Sequence, residues 1–278
     1  MKTYKYLGKV ASECFLKEQT IRISQPKAFN DPFELQPEFH VTDTNFKQGE
    51  VRPCKFVTHG HESLFEKYIL TKSSNETQLE KLNGDKIFQQ LNESIGFLCL
   101  TQADTLIPSN FLMWSHYAES HQGIVIEFEP QSEYILKSRP VHYYPRRPII
   151  DFKLLSENEY VAIDDLYFKS DVWAYENEIR ITKSLSECKN IGAKDAMNND
   201  IYVSDIPLGS IKCIYLGCNS SDELKSLAYK MEKSLGINIV FLRVHNEEYK
   251  LIPYTCLGGT YSEILGINKQ ILFNREKM

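Results

Sequence analysis

A short aromatic segment followed directly by a predicted strand constrains the fold of this chain more than any other feature. Residues 112–118 hold Trp114, His116 and Tyr117, and residues 123–128 then show the alternation of a strand. A helix end packed on a strand would bury Trp114, and the polar atoms of His116 and Tyr117 would be hydrogen-bonded. The same junction could instead present an imidazole and a phenol to a ligand, so both interpretations are open here.

Predicted strands and helices alternate along the chain, which is typical of a mixed fold. Strands are predicted at residues 3–7, 20–24, 95–101, 123–129, 141–144, 176–183, 211–216 and 237–244. Helices are predicted at residues 10–17, 61–72, 76–92, 164–169 and 222–235, with Ser221 or Ser220 as the cap of the last one. Residues 25–34 and 187–200 are predicted loops. We therefore expect a single α+β domain over residues 1–278, with a helical insertion at about residues 45–94.

Charge and composition exclude some classes of protein. Lys and Arg number 32 against 37 Asp and Glu, a formal net charge of −5. This balance argues against a generic nucleic-acid binder, although arginines around residues 139–147 leave nucleic acid open as a partner. No apolar run reaches the roughly 18 residues that a membrane span needs, and no signal peptide is evident, so we expect a cytoplasmic protein. The seven cysteines are scattered, and no metal site is expected.

Four clusters of polar and aromatic residues stand at the ends of predicted elements, where functional sites are usually built. They are Tyr4-Lys5-Tyr6, Asn30-Asp31-Pro32-Phe33-Glu34, Trp114-Ser115-His116-Tyr117, and residues 173–180 with Glu176, Glu178 and Arg180. Each cluster also has a purely structural interpretation. In the same order, these are tyrosines in a sheet, a local turn, a helix end packed on a strand, and an exposed row of ion pairs. Jointly they favour a site.

The last three of these clusters resemble motifs of a large bacterial family of unknown function. The resemblance rests on Asn30–Glu34, on residues 113–118 with Gly123, and on Trp173 with residues 175–180, and it spans roughly residues 3–245. Members of that family look like genes of the accessory genome. The resemblance therefore implies a bacterial or phage origin and a role in anti-phage defence or a toxin system.

The layout is also similar to that of ADP-ribosyltransferase-like folds, which have a split central β-sheet. In those enzymes a late Glu-x-Glu strand supplies the carboxylate that stabilises the oxocarbenium ion formed when NAD loses nicotinamide. On this resemblance Glu178 is the catalytic carboxylate and Glu176 its substrate-side partner, Tyr117 stacks on nicotinamide, and Tyr6 and His116 contact ribose or adenine. The complete expected set is catalytic Glu178, Glu176 and His116, with Tyr6, Asn30, Asp31, Tyr117 and Arg180 binding NAD.

Two departures from that layout leave other functions open. The His or Arg typical of the first strand is absent, and so is the Ser-Thr-Ser element. A metal-dependent nuclease or phosphodiesterase could use Asp31, Glu34, His116 and Glu178 around a divalent ion. A non-enzymatic sensor or interaction domain could use the same motifs to recognise a partner protein. The preferred expectation is an NAD-using ADP-ribosyltransferase or NAD glycohydrolase-like effector with NAD as substrate and an unknown macromolecular acceptor.

Three local expectations follow from the same patterns. Phe33 should be a buried anchor, and a polar side chain of Asn30–Glu34 should point into the same pocket as His116. Trp114 and Trp173 should be scaffold residues of the core. Glu178 and Arg180 should emerge on the same face of one strand, because the period of a strand is two residues.

Overall fold

The protein is an α+β structure, as the sequence predicts. A computed structural model describes residues 1–40, 51–57, 63–71, 88–105, 107–151 and 160–254. In chain order its strands are β1 (Lys2–Leu7), β2 (Thr20–Ile23), β3 (Glu38–His40), β4 (Val51–Val57), β5 (Ser63–Thr71), β6 (Ile95–Ala103), β7 (Ile124–Phe128), β8 (Arg139–Pro140), β9 (His142–Tyr144), β10 (Ile149–Asp151), β11 (Tyr160–Ala162), β12 (Phe168–Ser170), β13 (Glu178–Ser184), β14 (Lys189–Lys194), β15 (Asp200–Asp205), β16 (Ile211–Leu216), β17 (Asn238–Val244) and β18 (Leu251–Tyr254).

Helices are fewer than strands in the described residues. The α-helices are α1 (Lys9–Glu18), α2 (88–94), α3 (Phe111–Tyr117), α4 (Glu133–Leu136) and α5 (Asp222–Leu235). Short 3-10 turns lie at Pro26–Ala28, Ile163–Leu166, Asp171–Glu176, Leu185–Glu187 and Leu208–Ser210. Across the described ranges, no helix combines the length and the apolar character needed to cross a membrane.

The chain divides into two compact units, each assembled from separate stretches. The first unit holds Met1–Ile21, Leu100–Leu136 and Asp205–Met278, and the second holds Arg22–Cys99 and Lys137–Ser204. Strand β6 crosses this boundary, so its residues 95–99 belong to the second unit and its residues 100–103 to the first.

The first unit is built on a sheet with the strand order β18-β17-β16-β7-β1-β6. Strands β16 and β17 are parallel and joined through α5, while the other neighbours are antiparallel. All five residues of β7 are buried, including Glu127, so both faces of this central strand are covered. Gly123 precedes β7 because a Cβ there would lie 1.8 Å from the carbonyl oxygen of Leu7.

The second unit contains the strand order β6-β13-β8 and several small sheets. Strands β3 and β10 pair in parallel, as do β9 and β12, while β4 lies between β5 and β11. Strands β14 and β15 form a hairpin whose second strand pairs with β2. The core of the unit is a cluster of nine buried side chains: Leu35, Leu91, Ile95, Phe97, Val141, Ile163, Leu166, Tyr167 and Phe168.

Three of the predicted helices and loops are wrong. The predicted helix at residues 61–72 is strand β5, which pairs antiparallel with β4 and so belongs to a hairpin inside the expected helical insertion. The predicted loop at 187–200 contains β14 and the start of β15. The predicted helix at 164–169 is a 3-10 turn followed by β12. In each case pairing with a partner strand outweighs the local pattern; for β5 and β14 the partner is the adjacent strand of a hairpin, and for β12 it is β9.

The helix predicted at residues 76–92 is described only in part. Residues 88–94 are helical, and residues 76–87 lie outside the described residues. The other predicted elements agree with the structure within a few residues, and α5 has the predicted bounds with the predicted Ser221 cap.

Candidate functional site

Five charged side chains meet inside the second unit and form the charged cluster. They are Glu34, Lys169, Glu176, Glu178 and Arg180, and no side chain among them is more than 5% exposed. Charged side chains are almost never this buried unless they are paired. The cluster is therefore the most unusual chemical feature of the described residues.

Local backbone geometry brings three members of the charged cluster together from one short stretch. Glu178 and Arg180 lie two residues apart on β13, so their side chains leave the same face, as predicted. Glu176 is not on the strand as expected; it ends the 3-10 turn Asp171–Glu176. Asn177 follows with a φ of 42°, a left-handed conformation that asparagine tolerates better than most residues. This reversal lets Glu176 and Glu178 both reach Lys169.

The two cations of the charged cluster each bind more than one carboxylate. Lys169 Nζ lies 2.6 Å from Glu176, 2.9 Å from Glu34 and 3.4 Å from Glu178. Arg180 donates from Nε to Glu178 at 2.7 Å and from Nη2 to the second oxygen of Glu178 at 3.0 Å. Its Nη2 also donates to Glu34. Such a two-point guanidinium–carboxylate pair fixes both position and orientation.

Among the described residues of the charged cluster, three carboxyl groups meet two basic side chains. Burial alone would raise the pKa of Glu178, but the positive charges of Arg180 and Lys169 outweigh it and lower that pKa to about 2. Burial likewise opposes the charge of Arg180, yet Glu178 and Glu34 hold its pKa well above the ordinary value. Glu178 and Arg180 are therefore both ionised at neutral pH, inside a medium of low dielectric.

Aromatic rings surround both cations. The guanidinium carbon of Arg180 lies 4.8 Å from the ring centre of Phe29 and 5.8 Å from that of Tyr167. Lys169 Nζ lies 5.1 Å from the ring of Trp173. Trp173 and Tyr175 are half-buried, with ring centres 6.1 Å apart, so they form an aromatic pair beside the charged cluster. Such contacts stabilise a desolvated cation by about 2 kcal/mol or more.

The turn at Asn30–Glu34 brings Glu34 to the charged cluster, but Phe33 is not its anchor. Asp31 accepts a hydrogen bond from the Phe33 N–H at 2.9 Å, which is the local turn expected from an Asp before Pro. Phe33 is 59% exposed, so the prediction of a buried Phe33 is wrong. Leu35, with a φ of 57°, is buried in its place. Asp31 is buried and Asn30 is exposed.

The remaining predicted site residues belong to the first unit. Tyr6 is buried and packs edge-on against Trp114, with ring centres 5.6 Å apart, and burial raises its pKa. His116 is exposed near the end of α3, with its ring 6.3 Å from that of Tyr117. Trp114 is fully buried and donates from its indole nitrogen to the Pro108 carbonyl at 2.8 Å, so its predicted scaffold role is confirmed. Trp173, in the second unit, is half-buried, so it is not the fully buried scaffold residue that the sequence predicts.

Lys169 and Tyr143 are site residues that the sequence did not reveal. Lys169 lies on a three-residue strand between Phe168 and Ser170, where nothing distinguishes it from a surface lysine. Tyr143 accepts a hydrogen bond from the backbone N–H of Glu178 at 2.8 Å, and burial is the main cause that raises its pKa to about 12. The residues that flank Lys169, Tyr167-Phe168 before it and Ser170-Asp171 after it, do not alternate, so the sequence gives no signal for a buried lysine.

The structure gives little support to a divalent metal at these carboxylates. Within the described ranges, no group of three or more His, Cys, Asp or Glu residues is placed to hold a metal ion. Both oxygens of Glu34 and of Glu178 already bind cationic side chains. A divalent ion at Glu34 and Glu178 would have to compete with Lys169 and Arg180.

Comparison with protein families gives a match over part of the chain. A family model described as a protein of unknown function (DUF2971) matches residues 113–181, well under half of the chain. That segment includes Trp114, His116 and Tyr117 and four members of the charged cluster, but not the Asn30–Glu34 turn. Neither the curated proteins nor the solved structures gave a match. Over residues 113–181, this chain is thus similar to a family of proteins of unknown function (DUF2971).

Proposed function

We propose that the protein is an NAD-using ADP-ribosyltransferase or NAD glycohydrolase-like enzyme whose carboxylates are those of the charged cluster. The observation that supports this proposal is a buried cluster in which Glu178 stays ionised and is oriented by Arg180. A fixed negative charge in a dry environment is the device that stabilises a developing cation.

The chemistry of NAD cleavage requires such a device. When the bond between ribose and nicotinamide breaks, nicotinamide leaves with the electron pair, and the ribose carbon becomes an oxocarbenium ion. Water or a nucleophile of an acceptor then attacks that carbon and releases a proton. A carboxylate that is already oriented by Arg180 needs no reorganisation when the cation forms, so its effect falls mainly on the transition state.

The aromatic pair Trp173 and Tyr175 supports the same proposal. Both rings are half-buried, and Trp173 lies directly over Lys169 of the charged cluster. A flat heteroaromatic group such as nicotinamide binds on exposed aromatic faces of this kind. Asn30 and Asp31 stand on the turn that carries Glu34 and remain proposed contacts for NAD. The proposed roles of Tyr6, His116 and Tyr117 in binding or catalysis rest on the sequence resemblance alone.

The biological setting is part of the proposal and rests on the sequence resemblance described above. An effector that consumes NAD or modifies an essential macromolecule would arrest a phage-infected cell, which fits a defence or toxin role. The acceptor could be a protein, a nucleic acid or water.

Release of nicotinamide from NAD by the purified protein tests this proposal directly. Glu178→Gln keeps the shape of the side chain and leaves two carboxylates against two cations, so we expect the fold to persist. Activity should fall about 10²–10³-fold, the range found when one preorganised electrostatic partner is removed. Chelation of divalent metals should have no effect, whereas a nuclease of the alternative kind would lose its activity in chelator.

Glu187→Gln is the matched control for this experiment. Glu187 is exposed, lies shortly after β13, and is outside the charged cluster. It should retain full activity. If Glu178→Gln and the wild type release nicotinamide at equal rates, or if the wild type releases none, the proposed function is wrong.

A further inference from the structure

A strongly basic stretch of the second unit lies at residues 137–148. Its sequence, Lys-Ser-Arg-Pro-Val-His-Tyr-Tyr-Pro-Arg-Arg-Pro, contains four lysine and arginine residues and no aspartate or glutamate, in a chain whose net charge is −5. It also contains two tyrosines and a histidine. Such a local excess of positive charge in an acidic chain indicates an anionic partner.

Strand β9, inside this stretch, presents one side chain to the core and two to solvent. Tyr143 packs against the core of the second unit and accepts the Glu178 N–H. His142 and Tyr144 leave the opposite face, because successive side chains of a strand alternate. Tyr144 is 46% exposed, and its ring centre lies 6.4 Å from that of His142. The outer face of β9 therefore offers two neighbouring rings to a partner.

Two adjacent arginines follow β9. Arg146 and Arg147 are both exposed, and among the described residues no carboxylate lies within ion-pair distance of either one. Arg147 donates from Nε to the Gln36 carbonyl at 2.8 Å, and its guanidinium carbon lies 6.0 Å from the ring centre of Phe33. Phe33 is 59% exposed. Arg147 is thus held beside a further exposed ring while its charge is not neutralised.

These side chains together form the basic aromatic surface of the second unit, which consists of Phe33, His142, Tyr144, Arg146 and Arg147. The Cα atoms of Tyr144 and Arg147 are at most about 11 Å apart, because three residues of chain reach no further. A purely apolar partner would bury two arginines without a counter-charge, which is unfavourable. A small anion would leave the exposed rings unused. The surface is therefore best matched by a partner that is anionic and also carries flat rings.

We propose that the basic aromatic surface binds single-stranded nucleic acid, with its arginines at the phosphates and its rings stacked on the bases. Proteins that bind single strands combine positive charge along the backbone with aromatic side chains on which bases stack. In a duplex the bases are stacked on one another, so their faces are closed to protein rings. This inference goes beyond the proposed function, since binding of a single strand requires no NAD.

Fluorescence anisotropy of a labelled single-stranded oligonucleotide with the full chain tests the proposal. A length of about 12 nucleotides covers the usual site sizes of such surfaces. An abasic oligonucleotide of equal length is the matched probe, because it keeps the phosphates and removes the bases. We expect the intact strand to bind at least about 10-fold more tightly, which is the contribution of stacking one base. Equal affinities, tighter binding of a duplex, or no binding at about 100 µM, the weak end of non-specific association, would overturn the proposal.

The dependence of binding on salt tests the arginines. Arg146→Gln should reduce the slope of the logarithm of the binding constant against the logarithm of the salt concentration by about 0.7, the value for one phosphate contact of a single strand. Arg147→Gln, added to it, should reduce the slope by a similar amount. Arg243→Gln is the control, because Arg243 is exposed on β17 in the first unit and should leave the slope unchanged. An unchanged slope in the double variant contradicts the proposal.

A tyrosine substitution tests the stacking. Tyr144→Leu should weaken binding of the intact strand about 10-fold and leave the affinity for the abasic strand unchanged. Tyr249→Leu is the control, because Tyr249 is 99% exposed in the first unit and should have no effect. A thermal melt checks that each variant is folded. If folded Tyr144→Leu binds both strands like the wild type, the assignment is wrong; if it does not fold, the comparison of the two strands on the wild type decides.

Two further results separate this proposal from its neighbours. If polyglutamate displaces the oligonucleotide at equal concentration of charge, the surface recognises acidic polypeptides, and the proposal is wrong. Oligonucleotide binding without any release of nicotinamide from NAD would refute the NAD-cleaving function and leave this surface assigned. Release of nicotinamide without oligonucleotide binding would refute this inference alone.

Discussion

Trp114 shows how a residue that is conspicuous in the sequence can act as scaffold. Its indole ring stacks on His121 at 5.3 Å with an interplanar angle of 8°, and it packs edge-on against Tyr6. Burial lowers the pKa of His121, which keeps that imidazole neutral and suited to stacking. His116, two residues after Trp114 in the chain, is exposed. Helix α3 thus carries Trp114 as a buried structural residue and His116 as an accessible one.

Replacing Trp114 by Ala should lower the free energy of unfolding by about 3–5 kcal/mol, the usual cost of truncating a large core aromatic. The loss comes from apolar contacts and from the Pro108 carbonyl that would lose its donor. Urea denaturation followed by circular dichroism measures it. Trp173→Ala is the comparison, because Trp173 is half-buried and should lose less. Equal losses in the two variants would contradict the assignment of Trp114 as the deeper core residue.

At the residue scale, the sequence predicted pairs that are close in the chain and missed those that are distant. Glu178 and Arg180 share a face because a strand repeats every two residues, and this needed no tertiary information. The contact of Glu178 with Lys169 depends on the 3-10 turn between them, and the contact of Arg180 with Glu34 depends on a segment far away in sequence. No local pattern encodes such contacts, so the charged cluster itself could not be predicted.

Among the elements, α5 is the one whose ends are most clearly defined by local chemistry. The Ser221 hydroxyl accepts a hydrogen bond from the Leu224 N–H at 3.2 Å, Asp222 and Glu223 follow in the first turn, and Gly236 ends the helix with a φ of 68°. These are the signals of a well-capped helix, and they explain why the predicted bounds were correct.

Removing that cap gives a test at the scale of one element. Ser221→Ala should destabilise the protein by about 1 kcal/mol, because the Leu224 N–H loses its partner at the helix start. Ser226→Ala, at an exposed position inside the same helix, is the control and should be neutral or slightly stabilising, since Ala has the highest helix propensity. Thermal unfolding measures both. A larger loss at Ser226 than at Ser221 would refute the capping assignment.

Strand pairing accounts for most of the elements that the sequence did not predict correctly. The segment Ser63–Thr71 carries apolar residues at spacings compatible with a helix, yet it pairs with Val51–Val57. Lys189–Lys194 is polar and exposed, and only its partner Asp200–Asp205 identifies it as a strand. Partner strands override intrinsic preference because side-chain packing across the pair determines much of strand stability.

The stability of the whole molecule should depend on the ionisation of Glu178. Its pKa is lowered from 4.5 to about 2 in the folded protein, so its contribution is fully present above about pH 4.5. That contribution is lost as the pH falls towards 2, because the unfolded chain then binds a proton that the folded chain does not. Urea midpoints measured between pH 6 and pH 3 should fall steeply for the wild type.

Glu178→Gln removes this proton-binding difference and should flatten that pH dependence. Glu187→Gln should keep the wild-type slope. If both variants and the wild type lose stability equally on acidification, Glu178 is not a source of the acid sensitivity, and other carboxylates dominate it.

At the scale of the whole chain, the α+β class follows from alternating strand and helix patterns. The division into two units does not, because each unit is assembled from separated stretches. The family match at residues 113–181 begins in one unit and ends in the other, so the chain segment most recognisable in sequence is not itself a compact body.

The charged cluster should respond differently to the loss of a carboxylate and to the loss of a cation. Losing one of the three carboxylates leaves two against two cations, whereas losing Lys169 or Arg180 first leaves buried carboxylates with too few partners. The excess carboxylate gives the charged cluster a tolerance for a first substitution that a balanced cluster would lack.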